Sequence, residues 1–524
     1  MPAKLNSPKL KSSRHKILFV VAETWPLVKT GGLADVVPAL ARALAEQGHD
    51  VRLLMPHYRS VEEAFAGEPA GRFFDVLPGS PRARLVRGRL AGYDIPAWLL
   101  HCPSLYDRPG GPYADAAGTD WHDNHLRFGL LCKVAAMFGS AGGLDGWQAD
   151  VIHAHDWHAG LAPAHAHLDP AVTAATVFTV HNLAYQGNFD PGCMRQLGLG
   201  AEAFHPDGLE FYGRLSFMKA GLWYADRLTT VSPTYAGQVQ TENYGCGMAG
   251  VLRHRRTALS GILNGVDERT WNPATDTMLP ARYTAADLAG KARCKLELQD
   301  RFGLTRGPDI PIVGMVGRMT TQKGWDLLAE AMPALLREKV QWALVGSGDA
   351  ALEAQLARLA REHPGMVGLH LGYEEALSHL VIAGSDCFTV PSRFEPSGLT
   401  QMYSQLYGTP PVVRRTGGLA DSVTEATRTN IADGSGSGFF FWRADSAELE
   451  VALRDALRLY REDRESWRAL QVNGMARDFS WRRPAAEYAR VYREALGQKA
   501  PGARALAARA TTAGRISGGR VRKG

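Results

Sequence analysis

The nine residues Ser392-Arg393-Phe394-Glu395-Pro396-Ser397-Gly398-Leu399-Thr400 are the most informative stretch of this chain. They follow the apolar run Cys387–Val390, which is typical of a buried parallel strand, and precede a predicted helix over 400–407. A loop punctuated by Pro and Gly between strand and helix presents free backbone amides, which suit an anion or sugar oxygens. The candidate ligand-binding residue in this loop is therefore Glu395, beside the backbone amides at the start of the predicted helix. The alternative for Glu395 alone is a helix-capping or surface carboxylate.

Short apolar runs alternate with helical patterns on both sides of this stretch. The runs are 16–22, 51–55, 151–153, 176–180, 228–231, 310–316, 342–345, 366–370, 387–390 and 411–413. Helices are predicted over 35–47, 325–337, 349–362 and 374–384. Because alternating βαβ units form parallel sheets covered on both faces, we predict an α/β protein with two Rossmann-like, doubly wound domains. The predicted segments are a disordered leader (1–15), an N-terminal domain (16–262), a C-terminal domain (263–480), a final helix (481–497) and a disordered basic tail (498–524).

Composition and charge exclude several classes of protein. The chain has 524 residues, 45% of them hydrophobic, and no apolar run of the roughly 18 residues that span a membrane. Its net charge of +6 comes from the two ends, since residues 1–16 hold five Lys/Arg and residues 498–524 hold seven, without an acid. The body is therefore acidic, which argues against nucleic-acid binding there. Six scattered cysteines without a CxxC pair indicate a reducing, cytoplasmic location and no metal knuckle.

A glycine-rich loop follows the first predicted strand. Lys29-Thr30-Gly31-Gly32-Leu33-Ala34-Asp35 is of the phosphate-cradling type, although it lacks the Walker pattern. The hexapeptide Thr30–Asp35 recurs as 416–421, which predicts a similar glycine loop in each domain unless the repeat is coincidence. The candidate substrate-binding residues here are Lys29, Gly31, Gly32 and Asp35.

Two cations follow the predicted strand 310–316 of the C-terminal domain, in Gly317-Arg318-Met319-Thr320-Thr321-Gln322-Lys323-Gly324. Arg318 can grip two oxygens and Lys323 supplies a compact charge, so together they suit a diphosphate, with Lys29 as a third cation. The alternative is an ordinary pair of surface cations.

The stretch His153-Ala154-His155-Asp156-Trp157-His158 also follows a strand. A metal site is one interpretation, but adjacent residues of an extended segment face opposite sides and no distant Cys/His pair completes four ligands. We therefore predict a polar sugar-binding edge with no metal and no cofactor. His181 and Asn182 follow strand 176–180, where a histidine points into the ligand crevice unless it is a hydrogen-bonded loop residue.

A glycine pattern in the predicted C-terminal domain is similar to the G-x-G-x-x-A motif of dinucleotide-binding proteins. Gly346-Ser347-Gly348-Asp349-Ala350-Ala351 does not follow the first strand of its domain, and the next strand ends without an acid to bind a ribose. We do not predict a nicotinamide-dependent dehydrogenase.

Taken together, the KTGGLAD, HAHDWH, VHN, LNGVD, QKG and RFEP motifs occur in the order found in bacterial glycogen synthases and plant starch synthases. The chain resembles that family over about residues 16–497. The resemblance implies a GT-B glycosyltransferase whose two domains face each other across a cleft, with the acceptor on the N-terminal side and the nucleotide-sugar donor on the C-terminal side. It implies transfer of glucose from ADP-glucose to the non-reducing end of glycogen or another α-1,4-glucan, with retention, release of ADP and no metal.

The resemblance also implies roles for single residues. Arg318 and Lys323 stabilise the departing diphosphate, Glu395 holds the donor glucose, and His181 lies near the anomeric carbon. Asp156 contacts the sugar or orients the acceptor, and Tyr373 stacks on adenine. The remaining substrate-binding residues are Lys29, Gly31, Gly32, Asp35, Asn182, Asn264, Gly398, Leu399 and Thr400.

Two alternatives stay open at this point. UDP-glucose is a rival donor, and a catalytically weak glucan-binding scaffold of the same fold is a rival function. Tyr403 stands where more distant retaining glucosyltransferases carry a second Glu, and Ser397 stands where bacterial members usually have Cys. The oligomeric state is not predicted.

Overall fold

The computed structural model describes residues 14–499 as alternating strands and helices. The strands are β1 (Lys16–Val20), β2 (Asp50–Pro56), β3 (Gly67–Phe74), β4 (Ala83–Leu90), β5 (Ile95–His101), β6 (Val151–His155), β7 (Ala175–Val180), β8 (Asn188–Phe189), β9 (Glu210–Phe211), β10 (Arg214–Ser216), β11 (Arg227–Thr230), β12 (Leu259–Gly261), β13 (Ile312–Val316), β14 (Gln341–Gly346), β15 (Val367–Leu371), β16 (Cys387–Val390), β17 (Pro411–Arg414) and β18 (Phe439–Phe441).

The helices are α1 (Gly32–Glu46), α2 (Pro103–Tyr106), α3 (Asn124–Phe138), α4 (Leu161–Leu168), α5 (Phe217–Tyr224), α6 (Pro233–Gln238), α7 (Ala249–His254), α8 (Ala289–Arg301), α9 (Trp325–Leu336), α10 (Ala350–Glu362), α11 (Glu375–Gly384), α12 (Thr400–Leu406), α13 (Gly417–Ser422), α14 (Arg428–Ala432), α15 (Ser446–Glu462), α16 (Arg464–Met475) and α17 (Arg482–Lys499). No helix within residues 14–499 is both long and apolar enough to cross a membrane.

The chain divides into two compact units. Among the described residues, unit 1 contains 14–230, 239–262 and 482–499, and unit 2 contains 231–238 and 263–481. The boundary predicted at 262 differs for residues 231–238, which belong to unit 2. The reason is specific hydrogen bonds: Ser232 Oγ donates to the Pro396 carbonyl (2.7 Å), and Thr234 Oγ1 donates to the Asp421 carboxylate (2.6 Å).

Unit 1 is built on a nine-stranded sheet in the order β12-β11-β7-β6-β1-β2-β5-β4-β3. Strands β12 to β5 are parallel, whereas β4 and β3 pair antiparallel at one edge. The five predicted apolar runs of this unit are all strands, and burial explains why, since β1, β6 and β7 lie between two layers of helices. The antiparallel extension was not predicted, because β3 is largely exposed and mixes Gly, Pro and Arg with apolar residues.

Unit 2 is built on a six-stranded parallel sheet in the order β15-β14-β13-β16-β17-β18. All five predicted strands of this unit are present, and the doubly wound prediction is confirmed for both units. The sequence missed β18, a run of only three phenylalanines. The predicted helices differ from the observed ones by one residue at an end, except that α1 begins at Gly32 instead of 35.

The final helix belongs to unit 1 and extends further than predicted. It continues through residues 498 and 499, which the sequence assigned to the disordered tail, and Lys499 Nζ lies 3.9 Å from the Asp226 carboxylate. Its buried Tyr492 hydroxyl bonds the ring of His153 in β6 (2.9 Å), which attaches the helix to the sheet. The rest of the predicted tail (500–524) and most of the leader (1–13) lie outside the described residues. Within the leader, His15 stacks on His49.

Candidate functional site

The loop between β16 and α12 in unit 2 places a buried ion pair at the carboxyl end of the sheet. Glu395 is only 5% exposed, and its Oε2 accepts hydrogen bonds from Lys323 Nζ (2.6 Å) and Ser392 Oγ (3.0 Å). The Lys323 side chain remains 26% exposed. The structure therefore brings the two motif residues into direct contact, with the lysine still reaching solvent.

Close backbone packing creates this contact. The Gln322 carbonyl accepts a bond from the Arg393 amide (2.8 Å), and Gly324 has a φ of 76°. A Cβ on Gly324 would lie 2.1 Å from the Pro391 carbonyl oxygen, so only glycine allows the two loops to approach. The Arg318 carbonyl accepts a bond from Trp325 Nε1 (2.9 Å), and the exposed side chain of Arg318 lies at the same strand end.

The second glycine loop packs directly under Glu395. The Gly418 amide donates to the carbonyl oxygens of Glu395 (3.1 Å) and Pro396 (3.2 Å). A Cβ on Gly417 would lie 1.9 Å from the Glu395 oxygen. This Gly-Gly pair therefore shapes the loop that carries the ion pair.

The start of α12 offers polar groups beside Glu395. Gly398 has a φ of 67° and, like Leu399 and Thr400, is partly exposed. Gln401 Nε2 donates to the Ser397 and Gly398 carbonyls (3.1 Å each), which fixes the turn. The buried Ser397 hydroxyl has no hydrogen-bond partner among residues 14–499.

Two other predicted residues of unit 2 differ in exposure. Tyr373, between β15 and α11, is 60% exposed and its hydroxyl donates to Glu375 (3.2 Å). Asn264 is buried, and its side-chain oxygen has no hydrogen-bond partner within the described chain.

The dinucleotide-like stretch does not form a phosphate site. The Asp349 carboxylate accepts bonds from the amides of Ala351 (2.9 Å) and Leu352 (3.2 Å) at the start of α10. It thereby occupies the helix N-terminal amides that a pyrophosphate would use.

In unit 1, side-chain contacts within the protein hold the first glycine loop in place. Lys29 Nζ pairs with Asp35 (2.8 Å), so two candidate residues contact each other. The Thr30 amide donates to the buried carboxylate of Glu23. A further hydrogen bond from the Gly31 amide lowers the pKa of that carboxyl. Gly31 is the N-cap residue of α1, and Gly32 is its first residue. The loop therefore differs from a phosphate cradle, because an internal carboxylate already binds its amides.

The histidine-rich stretch begins inside β6, which extends to His155 instead of ending before the motif, and its side chains have three different roles. The ring of His153 bonds Thr179 (2.6 Å) and the final helix, so it is structural. His155 Nδ1 lies 3.0 Å from His181 Nε2. The Asp156 carboxylate accepts bonds from the amides of His181 (2.8 Å) and Asn182 (3.3 Å), which holds the loop after β7 against β6.

His153 and His155 lie on one face of β6 with ring centroids 4.0 Å apart, whereas the adjacent Asp156 binds the amides of the loop after β7. Within residues 14–499, no group of three or more His, Cys, Asp or Glu side chains is arranged to hold a metal ion.

Burial sets the protonation of this site. Desolvation lowers the pKa of His181 to about 3, so its imidazole is neutral at physiological pH. Desolvation raises the pKa of Asp156 to about 7, against the hydrogen bonds from the two amides. Desolvation likewise raises the pKa of Glu23 to about 7. A neutral imidazole can lie near a developing positive charge without repelling it, whereas an imidazolium cannot.

Sequence reasoning missed three residues of these sites. Glu23 directly follows the first apolar run, and its position at a strand end was the available signal. Tyr113 packs on His158 with ring centroids 4.5 Å apart, and the Glu23 charge adds to the burial that raises its pKa. No motif marks Tyr113 or Ser392, whose roles depend on tertiary contacts.

Comparison with known proteins agrees with this geometry. Residues 16–254 match the family model described as starch synthase catalytic domain, and residues 298–469 match glycosyl transferases group 1. Two doubly wound units with these matches define a glycosyltransferase of the GT-B class.

Relatives narrow that class. The chain is 45% identical over 486 residues to a glycogen synthase of Nitrosospira multiformis (92% of this chain, 98% of the relative). It is 48% identical over 484 residues to one of Aromatoleum aromaticum (92% and 97%). The solved catalytic domain of starch synthase IV from Arabidopsis thaliana, bound to ADP and acarbose, matches with a TM-score of 0.82 and 32% identity (93% and 100%). The chain belongs to the family of glycogen and starch synthases, which use a nucleotide-sugar donor and a glucan acceptor.

Proposed function

We propose that the protein transfers glucose from ADP-glucose to the non-reducing end of an α-1,4-glucan, with retention at the anomeric carbon and release of ADP. The observation that carries the proposal is the Lys323–Glu395 ion pair (2.6 Å), which holds a cation and a sugar-binding carboxylate together beyond the carboxyl ends of the neighbouring strands β13 and β16. The glycogen synthase relatives and the ADP in the Arabidopsis structure support the donor and the acceptor. The free, mostly buried cysteines suit a cytoplasmic enzyme.

In unit 2, the proposed donor site uses charge and stacking. Arg318 and Lys323 stabilise the negative charge that develops on the diphosphate as the bond to the anomeric carbon breaks. Glu395 accepts hydrogen bonds from the glucose hydroxyls, and the segment 398–400 contributes polar contacts. The exposed ring of Tyr373 stacks on adenine.

In unit 1, we assign the groups on the acceptor side. Neutral His181 lies near the anomeric carbon, where it tolerates positive charge. Asp156 fixes the loop of His181 and Asn182 and orients the sugar. Lys29 contacts the phosphate-sugar part of the donor. Further substrate contacts come from Gly31, Gly32, Asp35 and, in unit 2, Asn264.

The bond changes follow from these assignments. The glycosidic oxygen of the donor leaves with the diphosphate, and the acceptor 4-hydroxyl attacks the anomeric carbon from the same face. Its proton passes to the departing phosphate oxygen. No carboxylate nucleophile is assigned, because Tyr403 lies where other retaining glucosyltransferases have Glu, with its ring stacked 3.8 Å from Trp271.

A donor panel tests this function. Purified protein is incubated with glycogen and either ADP-glucose or UDP-glucose, and nucleotide release and glucan growth are both measured. We expect release of ADP matched by glucose added in amylase-sensitive α-1,4 linkages. Glu395→Gln serves as the inactive control.

Two results would contradict the proposal. Glycogen binding without nucleotide release from either donor would favour the scaffold alternative. Faster transfer from UDP-glucose than from ADP-glucose would overturn the donor assignment.

A further inference from the structure

Glu23 is a buried acid that the reaction proposed above does not use. It follows β1 at the carboxyl edge of the unit 1 sheet and is only 3% exposed. Burying a carboxylate is unfavourable unless hydrogen bonds compensate it, so its retention in this place needs a reason.

Its hydrogen bonds supply that reason. The carboxylate accepts a short bond from the Thr30 amide, and bonds from the Thr30 side chain and the Gly31 amide also lower its pKa. The N-cap residue of α1 is Gly31, which gives no side-chain cap. Glu23 therefore binds the amides of the residue before the N-cap and of the N-cap residue itself, which fixes the backbone where the chain enters α1.

The anchored loop carries a residue of the proposed donor site. Thr30 is exposed and follows Lys29 directly, so the fixed amide sets where the lysine backbone lies. Lys29 pairs with Asp35 in the first turn of α1, which makes the loop and the helix start one assembly. Resting on the proposed function, we infer that Glu23 is a positioning residue: its carboxylate holds residues 29–31 and thereby places Lys29 for the donor.

Other titratable groups face the same carboxylate. Asp35 lies on the α1 side, the Tyr113 side chain hydrogen-bonds Glu23, and Tyr58 interacts with its charge. The charge of Glu23 is one of the causes that raise the pKa of Asp156. Because burial raises the pKa of Glu23 to about 7, and the charge of Asp35 adds to this, Glu23 changes protonation near neutral pH. Protonation weakens its charge-assisted bonds to the loop, so Lys29 should be held less firmly at lower pH.

The test compares Glu23→Ala, Glu23→Gln and the exposed control Glu63→Ala in the full chain. Glu23→Ala removes a charge-assisted hydrogen bond to the loop, so it should raise the donor KM roughly tenfold or more. We expect a smaller change in kcat. Glu23→Gln keeps an acceptor for the Thr30 amide and should stay within about threefold of the parent. The parent KM should rise as pH falls from 8 to 6, and the Gln variant should show a smaller rise, because Asp156 still titrates in this range whereas the glutamine does not.

Amide hydrogen exchange in the peptide covering 24–33 gives a readout that does not need activity. Exchange should accelerate several-fold in Glu23→Ala but not in Glu23→Gln or Glu63→Ala. If Glu23→Ala does not fold, Glu23→Asp, which is too short to reach the loop in the same way, replaces it.

The outcomes are distinguishable. A folded Glu23→Ala with parental KM and parental exchange would overturn the inference, as would an unchanged pH dependence in Glu23→Gln. If Glu23→Ala and Glu23→Gln lose the same amount of stability while their folded fractions keep parental kinetics, the role of Glu23 is purely structural and the inference is wrong. A parent without transferase activity would refute the proposed function, while the exchange data would still test the loop anchor.

Discussion

Removing Lys323 tests whether the ion pair at the end of β16 is pre-assembled before the donor arrives. Lys323→Met leaves the Glu395 carboxylate, 5% exposed, with the Ser392 hydroxyl and no ammonium at 2.6 Å. Breaking a buried ion pair costs about 3–5 kcal/mol, and the 26% exposure of Lys323 reduces our expectation to about 2–3 kcal/mol. For a unit of this size, the melting temperature should fall by roughly 4–12 °C.

The double variant Lys323→Met/Glu395→Gln separates charge from shape. Because it removes the uncompensated charge, it should be more stable than Lys323→Met alone, while both should lose roughly 10²–10³ of the transfer rate. Differential scanning calorimetry at pH 7.5 measures the stabilities, and Lys339→Met, at an exposed position of unit 2, controls for loss of a lysine. If the stability lost in the double variant equals the sum of the stabilities lost in Lys323→Met and in Glu395→Gln, the two residues are not coupled and the argument fails.

Four further predictions concern other parts of the chain. Asp156 has its pKa raised from 3.8 to about 7, so the native state keeps a proton that the unfolded chain releases, and stability should fall as pH rises through that window. Melting curves from pH 4.5 to 8.5 should show a smaller fall in Asp156→Asn. His153→Phe loses the bonds to Thr179 and Tyr492 and should destabilise unit 1 by about 2–3 kcal/mol, with faster proteolysis of α17. Tyr373→Ala should raise the donor KM roughly tenfold without changing the melting temperature, because its ring is exposed. Exhaustive chelation should leave the transfer rate unchanged, and restoration by added metal would contradict the metal-free mechanism.

Continuous apolar runs made most of the sheet architecture predictable. Parallel strands buried on both faces, such as β6 and β13, have no polar face to interrupt the pattern. The antiparallel strand β3 is almost entirely exposed and β4 mixes exposed and buried residues irregularly, so they resemble loops in a sequence that also contains Gly and Pro. Prediction succeeded for fully buried strands such as β6 and β13 and failed for the exposed β3, but it also missed β5, which is largely buried and parallel to β2.

The candidate site was predictable only where a motif stands at a strand end. This rule located Glu395 and His181, but it could not show that Glu395 pairs with Lys323, which is distant in sequence. The same rule applies to Glu23, yet a lone acid after a strand has no pattern that distinguishes it from a surface residue. The role of Glu23 is apparent only in the folded structure, where the Thr30 amide, seven residues later in the chain, donates a hydrogen bond to its carboxylate.

The repeated hexapeptide Thr-Gly-Gly-Leu-Ala-Asp shows most directly which features of the structure cannot be predicted from local sequence. Both copies open a helix, as their sequence predicts, but α1 is capped at the first glycine and α13 at the threonine. In unit 1, the copy is bound by the Glu23 carboxylate and its aspartate pairs with Lys29. In unit 2, the glycines donate to and pack on the Glu395 backbone, and Asp421 binds Thr234. Identical residues thus dictate the same local turn, while distant partners determine whether the turn positions a cation or supports a carboxylate.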